Sequence, residues 1–240
     1  MAYIQLRVPQ EIADAVARRE LSQTELVGLV RQHYSQTLPQ NRVIDPQSAD
    51  NGAIRTQEQW SSYFNEAGKP MISAPNIYQA GKTATDKVLA SLRRDFNESW
   101  LVSSTRISYG DDLSGKIMHN HGSRVVKPSQ IDVKVIPVYD DTPLAKALQS
   151  DDGIAYLHSL FDTADEPQDI TRTLENLSKR GADRIALWTP DQDSRNSYSE
   201  RAVRFGGGGG RFHVDGGLFG GGSGRSRGVS IKSAKPTRKK

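Results

Sequence analysis

Five histidines are the side chains best placed to do acid–base or metal chemistry near neutral pH. His119 and His121 stand two apart in GKIMHNHGS, and on a strand that spacing points both rings to one face, where they can hold a metal. No third ligand is spaced to help them. Asp111 and Asp112 nearby read as a polar turn before a strand, so no metal site is expected. His33, His158 and His213 are solitary. The acidic pairs Asp111-Asp112, Asp140-Asp141 and Asp151-Asp152 lie beside turns or at helix starts, where carboxylates cap free amides and meet the positive end of the helix dipole. Ser103-Ser104 has no accompanying His and acid in a nucleophile motif. The run Gly206 to Gly210 lies between two expected strands and leads into Arg211-Phe212, whereas a phosphate loop must open a helix and carry a Lys and a hydroxyl. The chain has no cysteine, which excludes disulfides, Cys-based zinc sites and a thiol nucleophile. These residues predict neither a catalytic site nor a cofactor.

The elements that would position a site are those of one or two domains. At 240 residues a sizeable core is feasible, and 35% hydrophobic with 25% charged residues places the chain near the polar end of the globular range. The opening MAYIQLRVPQ lacks the apolar core of a signal peptide, and no stretch approaches the ~18 apolar residues of a membrane span. A cytoplasmic location without membrane contact is the expectation. Much of the net charge of +4 comes from the basic tail, residues 232–240, which reads as a solubilising end.

Tyr3 to Val8 alternate apolar and polar and end at Pro9, as a short strand does. Ile12, Ala13, Val16 and Ala17 then mark one helix face. A capping box from Ser22 to Glu25 opens a second helix carrying Leu26, Leu29 and Val30. This strand-helix-helix order over residues 1–36 resembles a ribbon-helix-helix module, in which two chains pair their strands. The resemblance implies a homodimer and, on alternate strand positions, the DNA-facing residues Tyr3, Gln5 and Arg7. Residues 37–69 turn polar, with Pro39, Asn41, Pro46, Asn51 and Gly52 breaking any period, and read as a linker.

From residue 70 the texture is mixed. Helices are predicted over 73–79, 83–96, 143–148, 152–161 and 169–177, with Gly181 stopping the last. Extended sequence is predicted over 100–107, at Val125-Val126, and over 131–139, 184–188, 202–205, 211–214 and 228–231. Helices first and strands last predict an α+β domain and not a doubly wound parallel sheet.

Residues 201–231 hold 12 of the chain's 21 glycines and contain no Gln, Glu, Lys, Met or Trp. About six residues of those types would be expected there if the stretch shared the common composition. The frame SRNSYSERAVRF, then GRFHVDG, then GRSRGV closing a strand resembles the variable proteins of diversity-generating retroelements. Such proteins carry a C-type-lectin-like fold related to the formylglycine-generating-enzyme family. In that family, error-prone reverse transcription randomises adenines, chiefly in AAY codons, which never become Gln, Glu, Lys, Met or Trp.

The resemblance is sharpest over residues 188–229 and implies a lectin-like domain over residues 70–231, with short antiparallel strands, flanking helices and a variable region at about 190–231. It implies scaffold positions at Arg201, Ala202, Phe205, Arg211, Phe212, Val214, Gly216, Arg227, Gly228 and Val229. Ligand contacts are implied at Gly206, Gly207, Gly208, Gly209, His213, Asp215, Gly217, Leu218, Phe219 and Gly220. The expectation is a non-catalytic ligand-binding protein with a hypervariable face and a macromolecular partner, a protein above all. The alternative is a DNA-binding regulator acting through its N-terminal module.

Overall fold

The computed structural model describes residues 42–189, 198–208, 210–217 and 223–231. The strand-helix-helix module, with Tyr3, Gln5 and Arg7, lies outside the described residues, as does the basic tail.

Nine strands and six α-helices, joined by short 3-10 turns, make a mixed α+β fold among the described residues. The helices are α1 (Gln57–Glu66), α2 (Ala74–Thr83), α3 (Asp86–Glu98), α4 (Leu144–Ala147), α5 (Asp151–Phe161) and α6 (Pro167–Ser178). The strands are β1 (Arg42–Ile44), β2 (Leu101–Gly110), β3 (Gly115–His119), β4 (Ser129–Val133), β5 (Tyr139–Pro143), β6 (Ile185–Thr189), β7 (Tyr198–Gly208), β8 (Arg211–Gly217) and β9 (Val229–Ile231). Seven of them form one sheet in the order β4-β3-β2-β7-β8-β6-β5, antiparallel throughout except for the parallel pair β6–β8. β1 and β9 pair antiparallel as a separate two-stranded ribbon that joins the two ends of the described fold.

The large core lies on one face of the sheet. Leu101, Val203, Phe205, Phe212, Val214, Ile185 and Leu187 pack there against Tyr78 of α2, Leu92 and Phe96 of α3, Leu157 of α5 and Leu174 of α6. Val102, one residue on from Leu101, points to the opposite face and joins a smaller cluster with Trp60 and Phe64 of α1 and with Met71. Local chemistry fixes the helix ends. Thr56 and Gln59 form a reciprocal capping box at α1, and Ser73 and Asn76 do the same at α2. The Ser150 hydroxyl accepts from the Gly153 amide at the start of α5, whose first turn holds Asp151 and Asp152.

Four expectations need correction. The stretch read as a linker, 37–69, is structural from residue 42: β1 pairs with β9, and α1 buries Trp60 completely, with its indole N–H donating to the Gly224 carbonyl at 2.7 Å. The helix read over 83–96 is split, because Ala84 and Thr85 are extended and α3 begins only at Asp86. Lys179, in the left-handed region at φ 57°, ends α6 ahead of Gly181. Val125 and Val126 lie in a bend with their amides on the Ser123 hydroxyl, so their β-branched character makes no strand.

An ion pair closes the fold. Arg227, 1% exposed, donates through Nε to Asp95 Oδ2 of α3 at 2.7 Å, and its terminal nitrogens reach the carbonyls of Asp45 and Ser91. The second Asp95 oxygen accepts from the Ser48 hydroxyl at 2.7 Å. Each charge is thus desolvated among several partners, the arrangement in which a buried pair is tolerated.

Candidate functional site

β7 and β8 pair in the register Arg204–Asp215, Phe205–Val214, Gly206–His213, Gly207–Phe212 and Gly208–Arg211. Paired residues in an antiparallel ladder share a face, and faces alternate along each strand. Phe205, Val214 and Phe212 therefore turn into the core. Arg204, Gly206, Gly208, Arg211, His213 and Asp215 turn together to the outer face, and Gly217, paired with Ala202, continues the row. Trp188 of β6, opposite Asp215 in register, and Trp100 just ahead of β2 border it.

Of the six expected contact positions among the described residues, five meet on this outer face, each in a different setting. Gly208 is exposed, and a side chain added there would meet nothing within 4 Å. His213 is half-buried, with its ring edge-on to Trp100 at 6.2 Å and its Nδ1 3.6 Å from a carboxylate oxygen of Asp141. Burial lowers the His213 pKa from its ordinary value, and the adjacent Arg211 charge pushes the same way against Asp215. Asp215 is buried and pairs through Oδ2 with Arg204 at 2.7 Å, while Oδ1 has no hydrogen-bond partner among the described residues. Its carboxyl pKa is raised by that burial, against the pull of the Arg204 guanidinium. Gly207 turns the other way, toward Asn97 and the Phe96 carbonyl at the end of α3. Gly209, Leu218, Phe219 and Gly220 lie outside the described residues.

Two residues that the sequence did not mark as contacts complete the surface: Trp100, and Asp141, which was read only as a capping carboxylate and instead pairs with Arg211. Trp100 stacks against the Arg204 guanidinium, 4.2 Å from ring centroid to Cζ. Asp141, at φ 49° in the irregular part of β5, forms an ion pair with Arg211 across to β8. No sequence motif announces these contacts, because Trp100 and Asp141 reach the site only once β2 and β5 are placed in the sheet. What the site offers is aromatic faces, two guanidinium groups and one open glycine position at Gly208, a surface suited to non-covalent contact.

His119 and His121 are not brought to one face. Asn120 at φ 56° ends β3, and His119 turns inward. It is 2% exposed, and its Nε2–H donates to the Ser159 carbonyl while Nδ1 accepts from the Thr105 hydroxyl at 3.0 Å. Desolvation pushes its pKa down to about 4. His121 instead lies beside Met118, Arg106, Glu58 and Glu200. Among the described residues no group of three or more His, Asp or Glu side chains is placed to hold a metal. Ser103 and Ser104 donate to the carbonyls of Val203 and Met71, as buried strand hydroxyls do. Among the described residues no helix is long and apolar enough to cross a membrane.

Compared with known protein families, curated proteins and solved structures, the chain matches none.

Proposed function

We propose that this chain is a non-catalytic ligand-binding protein whose outer β7–β8 face is diversified by a retroelement, with the surface of another protein as its ligand. The observation that carries the reading is the alternation along the ladder. The expected contact positions Gly206, Gly208, His213, Asp215 and Gly217 fall on the outer face and the expected scaffold residues Phe205, Phe212 and Val214 in the core, while Gly207 turns inward and the scaffold positions Ala202 and Arg211 turn outward. Arg227, Gly228 and Val229, also expected as scaffold, are buried. A face whose side chains can change while the core does not is what a recognition scaffold requires.

Two further features favour a C-type-lectin-like fold as the scaffold. β1 and β9 pair at the two ends of the domain, and the variable ladder stands on a mostly antiparallel sheet with helices packed behind it. Arg, Trp and half-buried His on the outer face suit a protein partner, since Trp and Arg carry much of the binding energy at protein interfaces. A cytoplasmic setting is part of the same proposal.

Two display libraries test this reading. One randomises positions 208, 213 and 217; the other randomises 205, 212 and 214 to the same depth. The outer-face library is expected to keep most members protease-resistant and to yield protein binders, while the inner library collapses. Equal collapse of both libraries would overturn the reading.

A further inference from the structure

We propose that Trp100 is a fixed anchor of the binding face and that the residue at position 206 decides whether its indole is seated; this rests on the diversified-face reading. A Cβ at position 206 would lie 2.6 Å from Cε3 of Trp100 and 3.0 Å from both Cδ2 and Cζ3, the two ring atoms bonded to Cε3. Two equal and only slightly longer distances place that Cβ over the plane of the ring, so the indole lies flat on the bare backbone of Gly206. Contacts under 3.0 Å are far inside van der Waals separation, and any side chain at 206 must drive the ring away.

The backbone of Trp100 cannot yield. Its carbonyl accepts from the Arg225 amide at 2.8 Å, and a Cβ on Gly224 would already stand 2.2 Å from the same oxygen, so the chain there is packed backbone to backbone. The Gly224 carbonyl is in turn held by the buried Trp60 indole. Displacement therefore has to come from rotation of the Trp100 side chain, which breaks its stacking on Arg204 and its edge contact with His213.

Diversity at one codon thus reaches a residue outside the variable set. With glycine at 206 the seated indole, flanked by Arg204 and His213, offers a planar apolar anchor for an aromatic or aliphatic side chain of a partner protein. With any larger residue the anchor is withdrawn and re-presented elsewhere on the face. Position 208, two residues along the same face, has open space and carries no such coupling.

A double-mutant cycle on the full-length protein tests the seat. Thermal unfolding midpoints are measured for Gly206→Ser, Trp100→Ala and the pair, with Gly208→Ser as control, alongside acrylamide quenching of tryptophan emission. Gly206→Ser is expected to lower the midpoint by several degrees and raise the quenching constant. Trp100→Ala is expected to abolish that penalty, and Gly208→Ser to change neither readout. A penalty from Gly206→Ser that persists undiminished in the Trp100→Ala background would overturn the proposal, as would unchanged quenching in a folded Gly206→Ser variant. If Gly206→Ser alone fails to fold, rescue by Trp100→Ala still decides. The cycle reads the protein alone, so its failure removes the seat and leaves diversification of the face to its own test.

Discussion

His119 shows how a residue type that promises chemistry can be committed to structure. Its two ring nitrogens are engaged by the Thr105 hydroxyl and the Ser159 carbonyl, and the Thr105 hydroxyl oxygen also accepts from the Ala74 amide at the start of α2. The imidazole is therefore built in as the neutral form. With a folded-state pKa near 4 against an ordinary 6.5, the unfolded chain binds the additional proton between those values. The His119 contribution is thus complete above pH 6.5 and is lost as pH falls toward 4, by about 3 kcal/mol in all. Urea titrations at pH 7 and pH 4.5 are expected to show a smaller loss for His119→Gln than for the unmodified protein. An identical loss in both would place the acid sensitivity elsewhere. Sequence spacing alone paired His119 with His121, and the signal against it lay in Asn120 and Gly122, residue types favoured at the positive φ that both adopt in the turn separating the rings.

At the scale of elements, β2 carries an irregularity between Val102 and Arg106, where it slips relative to β7. The carbonyls released there, those of Ser103 and Thr105, accept from Nε2 of Gln57 at 2.6 and 2.9 Å, and the Gln57 carbonyl oxygen accepts from Arg106. Gln57 is the first residue of α1 and is buried, so one polar side chain joins a helix to a distorted strand. Gln57→Leu would leave two carbonyls and a guanidinium N–H without this partner. It is expected to cost about 2–3 kcal/mol, read as a lower urea midpoint with unchanged slope. A cost below about 0.5 kcal/mol would mean that the irregularity is held by other contacts. The elements that sequence patterning found are the amphipathic ones, α3 with Leu89, Leu92 and Phe96 and α6 with Ile170, Leu174 and Leu177. α1 escaped because Gln57, Glu58, Gln59, Ser61, Ser62 and Asn65 dominate its composition, and only Trp60 and Phe64 report its buried side. β3 was read only as the strand after the Asp111-Asp112 turn, without bounds, being five residues long with only Ile117 and His119 buried.

For the whole molecule, the strand pairing of β7 with β8 was legible in the 201–231 segment, but the inward turn of Gly207 and the outward turn of Ala202 and Arg211 were not. The glycine excess and the five missing residue types are properties of composition, and the apolar residues alternating with His213 and Asp215 set the strand period. What composition could not supply is the frame around that face: Trp100 from the start of β2, Asp141 from β5, and the ribbon of β1 and β9 locked by Arg227 and Asp95. These contacts join residues as distant in the chain as Arg42 and Ile231, which pair in the β1–β9 ribbon, and only folding brings them together. The central claim is that the outer face is diversified, and DNA tests it most directly: sequencing the region around the gene for a near-copy of the segment encoding residues 190–231. The account predicts a template repeat beside a reverse transcriptase gene, differing from the coding copy only at adenines, with the differing codons falling on the outer-face positions 206, 208, 213, 215 and 217 and in the adjoining loops. Copies with no adenine bias, or differences spread equally over Phe205, Phe212 and Val214, would contradict it.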